Sequence, residues 1–141
     1  MFPFTITFQS KIRKTNGSID KIKCLSYLNN FIERHEGQEV YVSNDMISFK
    51  PKFRLFASGW HKFSLFEKAE FSLPGNTLVL KIFLYRLLIG ATVMSVWGGY
   101  MAQQFFAGIF FFLALAGGNW VMALVKYRKM TRELSQALSN L

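Results

Sequence analysis

Hydrophobic and polar positions alternate strictly at the start of the chain. Phe4, Ile6 and Phe8 share one face and Thr5, Thr7 and Gln9 the other, which predicts a half-buried strand. Asn16, Gly17 and Ser18 make a turn, with Ser18 placed to cap a helix and Asp20 in its first turn. Ile22, Leu25, Leu28 and Phe31 with Ile32 then recur at helical spacing. The helix is expected to end near His35 and Glu36, with Gly37 as its cap, and to bury Ile22, Leu25, Leu28 and Phe31 against Phe4, Ile6 and Phe8.

After Gly37 the period returns to two. Residues 40–42 and 47–49 read as strands around a turn at Ser43, Asn44 and Asp45, and Pro51 interrupts the second or places it at an edge. Residues 63–73 and 77–80 are strand-like. Between them Pro74 and Gly75 suit the two central positions of a type II turn.

The pattern then changes kind. From residue 87 to residue 125 there is no Asp, Glu, Lys or Arg, a run of 39 residues closed by Arg86 and Lys126. A single transmembrane helix needs about 20 apolar residues. The run is therefore expected to fold back at Gln103 and Gln104, giving helices over 82–101 and 105–125. The tail 126–141 continues the second helix, and Met130, Leu134, Leu138 and Leu141 form a narrow apolar stripe on it.

The expected architecture is α+β. A small cytoplasmic domain over 1–81 (β-α-β-β plus a further antiparallel hairpin) is followed by a two-helix transmembrane hairpin over 82–125 and a short amphipathic tail. Charge sets the expected orientation. Residues 1–81 carry twelve Lys and Arg against seven Asp and Glu, and the tail carries Lys126, Arg128, Lys129 and Arg132 against Glu133. Both termini should then be cytoplasmic, with a two-pass inner-membrane topology. The net charge of +9 suits an anionic leaflet, although the positive-inside rule accounts for it equally well. No dense basic stripe points to nucleic acid.

Candidate chemistry is sparse. Cys24 is the only cysteine and lies on an apolar helical face, so a small buried hydrophobe is expected. With His35 and His61 it makes no zinc spacing, and no metal or cofactor is expected. Asp45, Glu67, Glu70, His35 and His61 form no pair at catalytic spacing, and no phosphate loop or nucleophile elbow occurs, which argues against an enzyme. Lys50, Lys52, Arg54, Trp60, His61 and Lys62 mix cations with aromatics and are the candidate ligand or headgroup site. An edge strand with solvated cations explains the same pattern.

On the apolar helices Ala91, Ser95 and Gly99, and Ala114 and Gly118, recur every four residues and would let helices approach closely. Asn119 and Arg86 are placed to bond each other and fix helix register. Packing within the chain and packing against other copies both fit these rows. The tail stripe of Met130, Leu134, Leu138 and Leu141 is expected at an interface with a second helix. These features point to a non-enzymatic subunit or adaptor of a membrane complex, with membrane lipids, self-association or a larger complex as partners. The alternative is a sensor of a cytoplasmic anion, a nucleotide or lipid headgroup, coupled to assembly or pore formation.

Overall fold

The computed structural model describes residues 5–13, 20–52 and 66–141; the side chains of Arg86 and Leu87 lie outside the description. The elements are β1 (Thr5–Lys11), α1 (Lys21–Arg34), β2 (Gly37–Ser43), β3 (Met46–Pro51), β4 (Lys68–Ser72), β5 (Thr77–Phe83), α2 (Tyr85–Met101) and α3 (Phe105–Ser139). The strands form one antiparallel sheet in the order β1-β5-β4-β3-β2. The fold is α+β.

Strand alternation builds the core. Ile6 and Phe8 on β1, Leu78, Leu80 and Ile82 on β5, Ala69 and Phe71 on β4, and Ile47 and Phe49 on β3 are buried on one face. Ile6 stands opposite Ile82, and Phe8 opposite Leu80. The Phe49 and Phe71 rings stack with centroids 5.7 Å apart. The turn before β5 places Gly75 at φ 61°, the left-handed conformation that a type II turn assigns to glycine.

Helix α1 differs from expectation in its cap, its end and its partner. Asp20 is the N-cap, and its carboxylate accepts the Lys23 N–H at 3.2 Å. Ser18 lies outside the described residues. At the other end Glu36, not Gly37, takes the left-handed conformation, at φ 62°. Gly37 is needed for space instead: a Cβ there would meet Ile32 Cγ2 at 2.1 Å. The buried face of α1 is Cys24, Leu28 and Ile32, and Ile22 is 81% exposed. The helix packs on β2 and β3 rather than on β1.

β1 is covered by α3. Tyr127, fully buried, tilts against Phe8 at 6.4 Å and meets Phe66 edge-on at 5.3 Å. Ala123, Met130, Leu134 and Leu138 extend the same buried face. Ser10 and Ser135 join hydroxyls beside it at 2.7 Å. The sheet is therefore roofed on one face by α1 over β2 and β3 and by the second half of α3 over β1 and β5.

The expected pair of transmembrane helices is corrected. α3 is long and apolar enough to cross a membrane; α2 is not. α2 runs 17 residues, Tyr85–Met101, about 26 Å along its axis, short of a hydrocarbon core of about 30 Å. The boundary moves because β5 runs on through Ile82 and Phe83, residues assigned above to the first helix. The core alternation Leu78, Leu80, Ile82, Leu84 carries the chain to the helix start at Tyr85. The tail continues the second helix as its sequence suggests: α3 is one helix of 35 residues from Phe105 to Ser139.

Candidate functional site

α2 and α3 pack against each other along the charge-free run. Small residues set the approach. Ala91 and Ser95 are buried, and a Cβ on Gly99 would stand 3.2 Å from the Gly108 Cα. A Cβ on Gly108 would stand 3.0 Å from the Ser95 carbonyl oxygen. The row Ala91, Ser95, Gly99 thus faces α3 of the same chain, and Gly108 is its partner. Sequence reasoning missed Gly108, which stands alone among phenylalanines and shows no repeat. Ser95 donates its hydroxyl to the Ala91 carbonyl, so no polar hydrogen of that side chain is left in the contact.

The second row faces outward. Ala114 is exposed, and a Cβ on Gly118 would meet nothing within 4 Å. Asn119 donates its amide to the Leu115 carbonyl at 2.8 Å, a bond within its own helix. Its expected partner Arg86 has no described side chain, so the Arg86–Asn119 pairing lies outside the described residues.

Beyond the α2–α3 seam both helices present apolar side chains outward. Val96, Trp97 and Tyr100 on α2 and Phe105, Phe106, Phe110 and Leu113 on α3 are all exposed, Phe106 to 82%. Only 6% of the most apolar window of α3 is buried. A core helix of a soluble domain would show the reverse. Contiguous exposed apolar patches of more than a few hundred Å² are rare on soluble monomers and mark an interaction surface.

The tail stripe is already covered. Met130, Leu134 and Leu138 lie in the sheet core, and Leu141 is 46% exposed. The surface expected to seek a second helix is occupied by the chain's own β1 and β5.

The cation and aromatic segment is described only in part. Arg54, Trp60, His61 and Lys62 lie outside the described residues. Lys50 is bound to Glu39, and that hydrogen bond holds its ammonium above the ordinary lysine pKa. Lys52 is exposed, and its backbone N–H donates to the Glu36 carbonyl at 3.2 Å. A lysine whose charge is matched by a neighbouring carboxylate is a poor start for an anion site.

A different group of cations was missed. On the sheet face opposite the core, Lys68 and Lys81 lie 5.6 and 5.1 Å from the Phe83 ring centroid. Lys68 also pairs with Glu70 at 2.8 Å. Phe83 stacks on Tyr85, the first residue of α2, at 6.3 Å. On α3 Lys126 lies over the Tyr127 ring at 5.6 Å. Lys68 and Lys81 are far apart in sequence, and only the β4–β5 register brings them together. Among the described residues, no group of three or more His, Cys, Asp or Glu is placed to hold a metal. No family model matches the chain, and neither does any curated protein or solved structure.

Proposed function

We propose that this chain is a membrane-embedded, non-enzymatic protein that acts as a subunit or adaptor at the membrane surface. The charge-free half of α3 lies in lipid, and the sheet that its second half covers stands at the bilayer face. The observation that carries the reading is the exposure of the charge-free half of α3, 6% buried over its most apolar window. In water that surface would drive aggregation; in hydrocarbon it is matched by its surroundings. Within α3 the backbone hydrogen bonds are made internally, as immersion requires.

Packing supports placing both ends of the chain on one side. β1 and the last turns of α3 belong to one packed domain, the helix lying on the strand and tied to it through Ser10 and Ser135. The basic residues that flank the charge-free run favour the cytoplasmic side for that domain. The sheet is joined to α2 with Leu84 as the sole residue between β5 and the helix. Leu84 itself is buried, so the sheet is held close to the bilayer. A small domain so held, carrying no assembled catalytic group among the described residues, suits a scaffold that presents a surface to partners.

The test is the mass of the complex extracted in mild detergent. The subunit reading expects a particle larger than one 16.3 kDa chain with its detergent. A monodisperse monomer from native membranes would contradict it and leave a self-contained anchored domain.

A further inference from the structure

The end of the sheet from which α2 leaves carries a rim of cations and aromatics. The register sets its level: Lys68 pairs with Phe83, Phe83 with Thr5, and Lys81 with Glu70 on one side and Thr7 on the other. Phe83 is the last residue of β5, and Tyr85 begins α2 two residues later. α3 reaches the sheet at this same end, where Ala123 and Tyr127 become buried and Tyr127 meets Phe8. Immediately after the charge-free run, Lys126, Arg128 and Lys129 follow on α3, with Arg128 and Lys129 exposed. The rim thus has cations on the open sheet face and on the helical face, at the level where exposed apolar side chains give way to charged ones.

Carboxylates at this end do not cancel the charge. Glu70 pairs with Lys68, and Glu133 approaches Lys129 at 3.9 Å. Glu67 sits beside the rim, its backbone N–H donating to the Phe83 carbonyl. Glu70 also stands opposite Lys81, so five cations, Lys68, Lys81, Lys126, Arg128 and Lys129, face three carboxylates, Glu67, Glu70 and Glu133, and the rim keeps a positive balance. The Phe83–Tyr85 stack and the half-buried Trp120, six residues before Lys126, supply the aromatic girdle that the headgroup level of a bilayer favours.

We propose that this rim binds the phosphate of anionic lipid headgroups, so that the protein gathers acidic lipid around the point where α3 enters the bilayer. The proposal rests on the membrane reading above and adds a lipid class to it. Charge complementarity selects the occupant: ammonium and guanidinium groups on stems long enough to reach phosphate stand directly above an apolar surface. The rim differs from the segment around Lys50 and Lys52, whose described part includes the neutralising Glu39.

Lipid contact can be read from Trp120 fluorescence. The full chain with Trp60→Phe and Trp97→Phe, leaving Trp120, is reconstituted into phosphatidylcholine vesicles. Matched preparations carry brominated phosphatidylglycerol or brominated phosphatidylcholine at equal mole fraction. The rim predicts stronger quenching by the brominated anionic lipid, an enrichment of roughly 2-fold or more, since one cation near an acidic surface favours association by about 5-fold. Replacing Lys81, Arg128 and Lys129 with Gln should bring the two quenching curves together while an unchanged melting temperature shows the sheet intact. Equal quenching by the two lipids in the Trp120 protein would overturn the rim and leave the membrane reading standing. No quenching by either lipid would overturn both. The same comparison on the three-tryptophan wild type guards against misfolding of the single-tryptophan chain.

Discussion

The hydroxyl oxygens of Ser10 on β1 and Ser135 on α3 lie 2.7 Å apart, although 125 residues separate them. Ser135 also donates to the Arg132 carbonyl at 2.9 Å. A hydroxyl has one hydrogen, so when Ser135 donates to Arg132, Ser10 is the donor to Ser135. The contact fixes where the end of the long helix sits on the sheet, and beside it the buried Tyr127 provides the larger packing contribution.

Truncating that ring should separate the sheet from α3. Tyr127→Ala removes a fully buried aromatic side chain, a class of change that costs about 3–5 kcal/mol. Phe106→Ala, at an 82% exposed position, should leave the sheet's thermal stability unchanged. Melting curves of the two variants in the same detergent check this. Equal loss in both would mean that α3 does not roof the sheet.

Helix α1 gives a second contrast. Leu28→Ala should destabilise by about 2–5 kcal/mol, because Leu28 is fully buried. Ile22→Ala should change stability by no more than about 0.5 kcal/mol, as for surface sites generally. Denaturant titrations followed by far-ultraviolet circular dichroism read both.

The helix pair offers a glycine series. Gly108→Val would push side-chain atoms against the Ser95 carbonyl, already 3.0 Å from an ideal Cβ. It should force α2 and α3 apart. Gly118→Val meets nothing within 4 Å and should be tolerated within the chain. A cysteine pair elsewhere on the α2–α3 seam, with Gly99 and Gly108 kept, should crosslink, and adding Gly108→Val to that pair should abolish the crosslink while adding Gly118→Val should not. If Gly118→Val instead lowers the mass of the extracted complex, the outward row is a contact with another chain.

The Lys50–Glu39 pair predicts a pH effect of defined sign. The hydrogen bond from Lys50 to Glu39 raises the lysine pKa. A raised pKa gives stability that is present below the ordinary lysine value and lost as pH rises through the folded one. At neutral pH Lys50 is charged in folded and unfolded chains alike, and stability should not vary with pH on its account. Glu39→Gln should lower the Lys50 titration midpoint, measured by NMR of its side chain, with little effect on folding because both groups are exposed.

Local pattern made much of this fold legible. The alternation of Ile6 and Phe8, the Pro74-Gly75 turn and the helical spacing of Leu28 and Ile32 each encode their element within a few residues. Pairing is a different matter. That β1 lies beside β5, and that α1 covers β2 and β3, depends on contacts between distant segments that no local period records. The end of β5 was readable, since Ile82 and Leu84 continue the alternation of Leu78 and Leu80; the high hydrophobicity of the following run obscured it. The tail stripe of Met130, Leu134 and Leu138 was visible as a stripe, but a stripe does not name its occupant, which is the chain's own sheet. At the rim, Lys81 and Phe83 share a face by the alternation of β5, but Lys68 joins them only through the β4–β5 register, which spacing along the chain does not record.

The central claim is that the charge-free half of α3 is immersed in lipid, and alkaline carbonate extraction of membranes from cells expressing the full chain tests it most directly. Peripheral proteins leave the bilayer under this treatment, whereas chains held by immersed apolar helices stay. The account predicts that the protein remains in the membrane pellet and is released only by detergent. Quantitative release into the carbonate supernatant, with a single monodisperse species in detergent-free buffer, would contradict it.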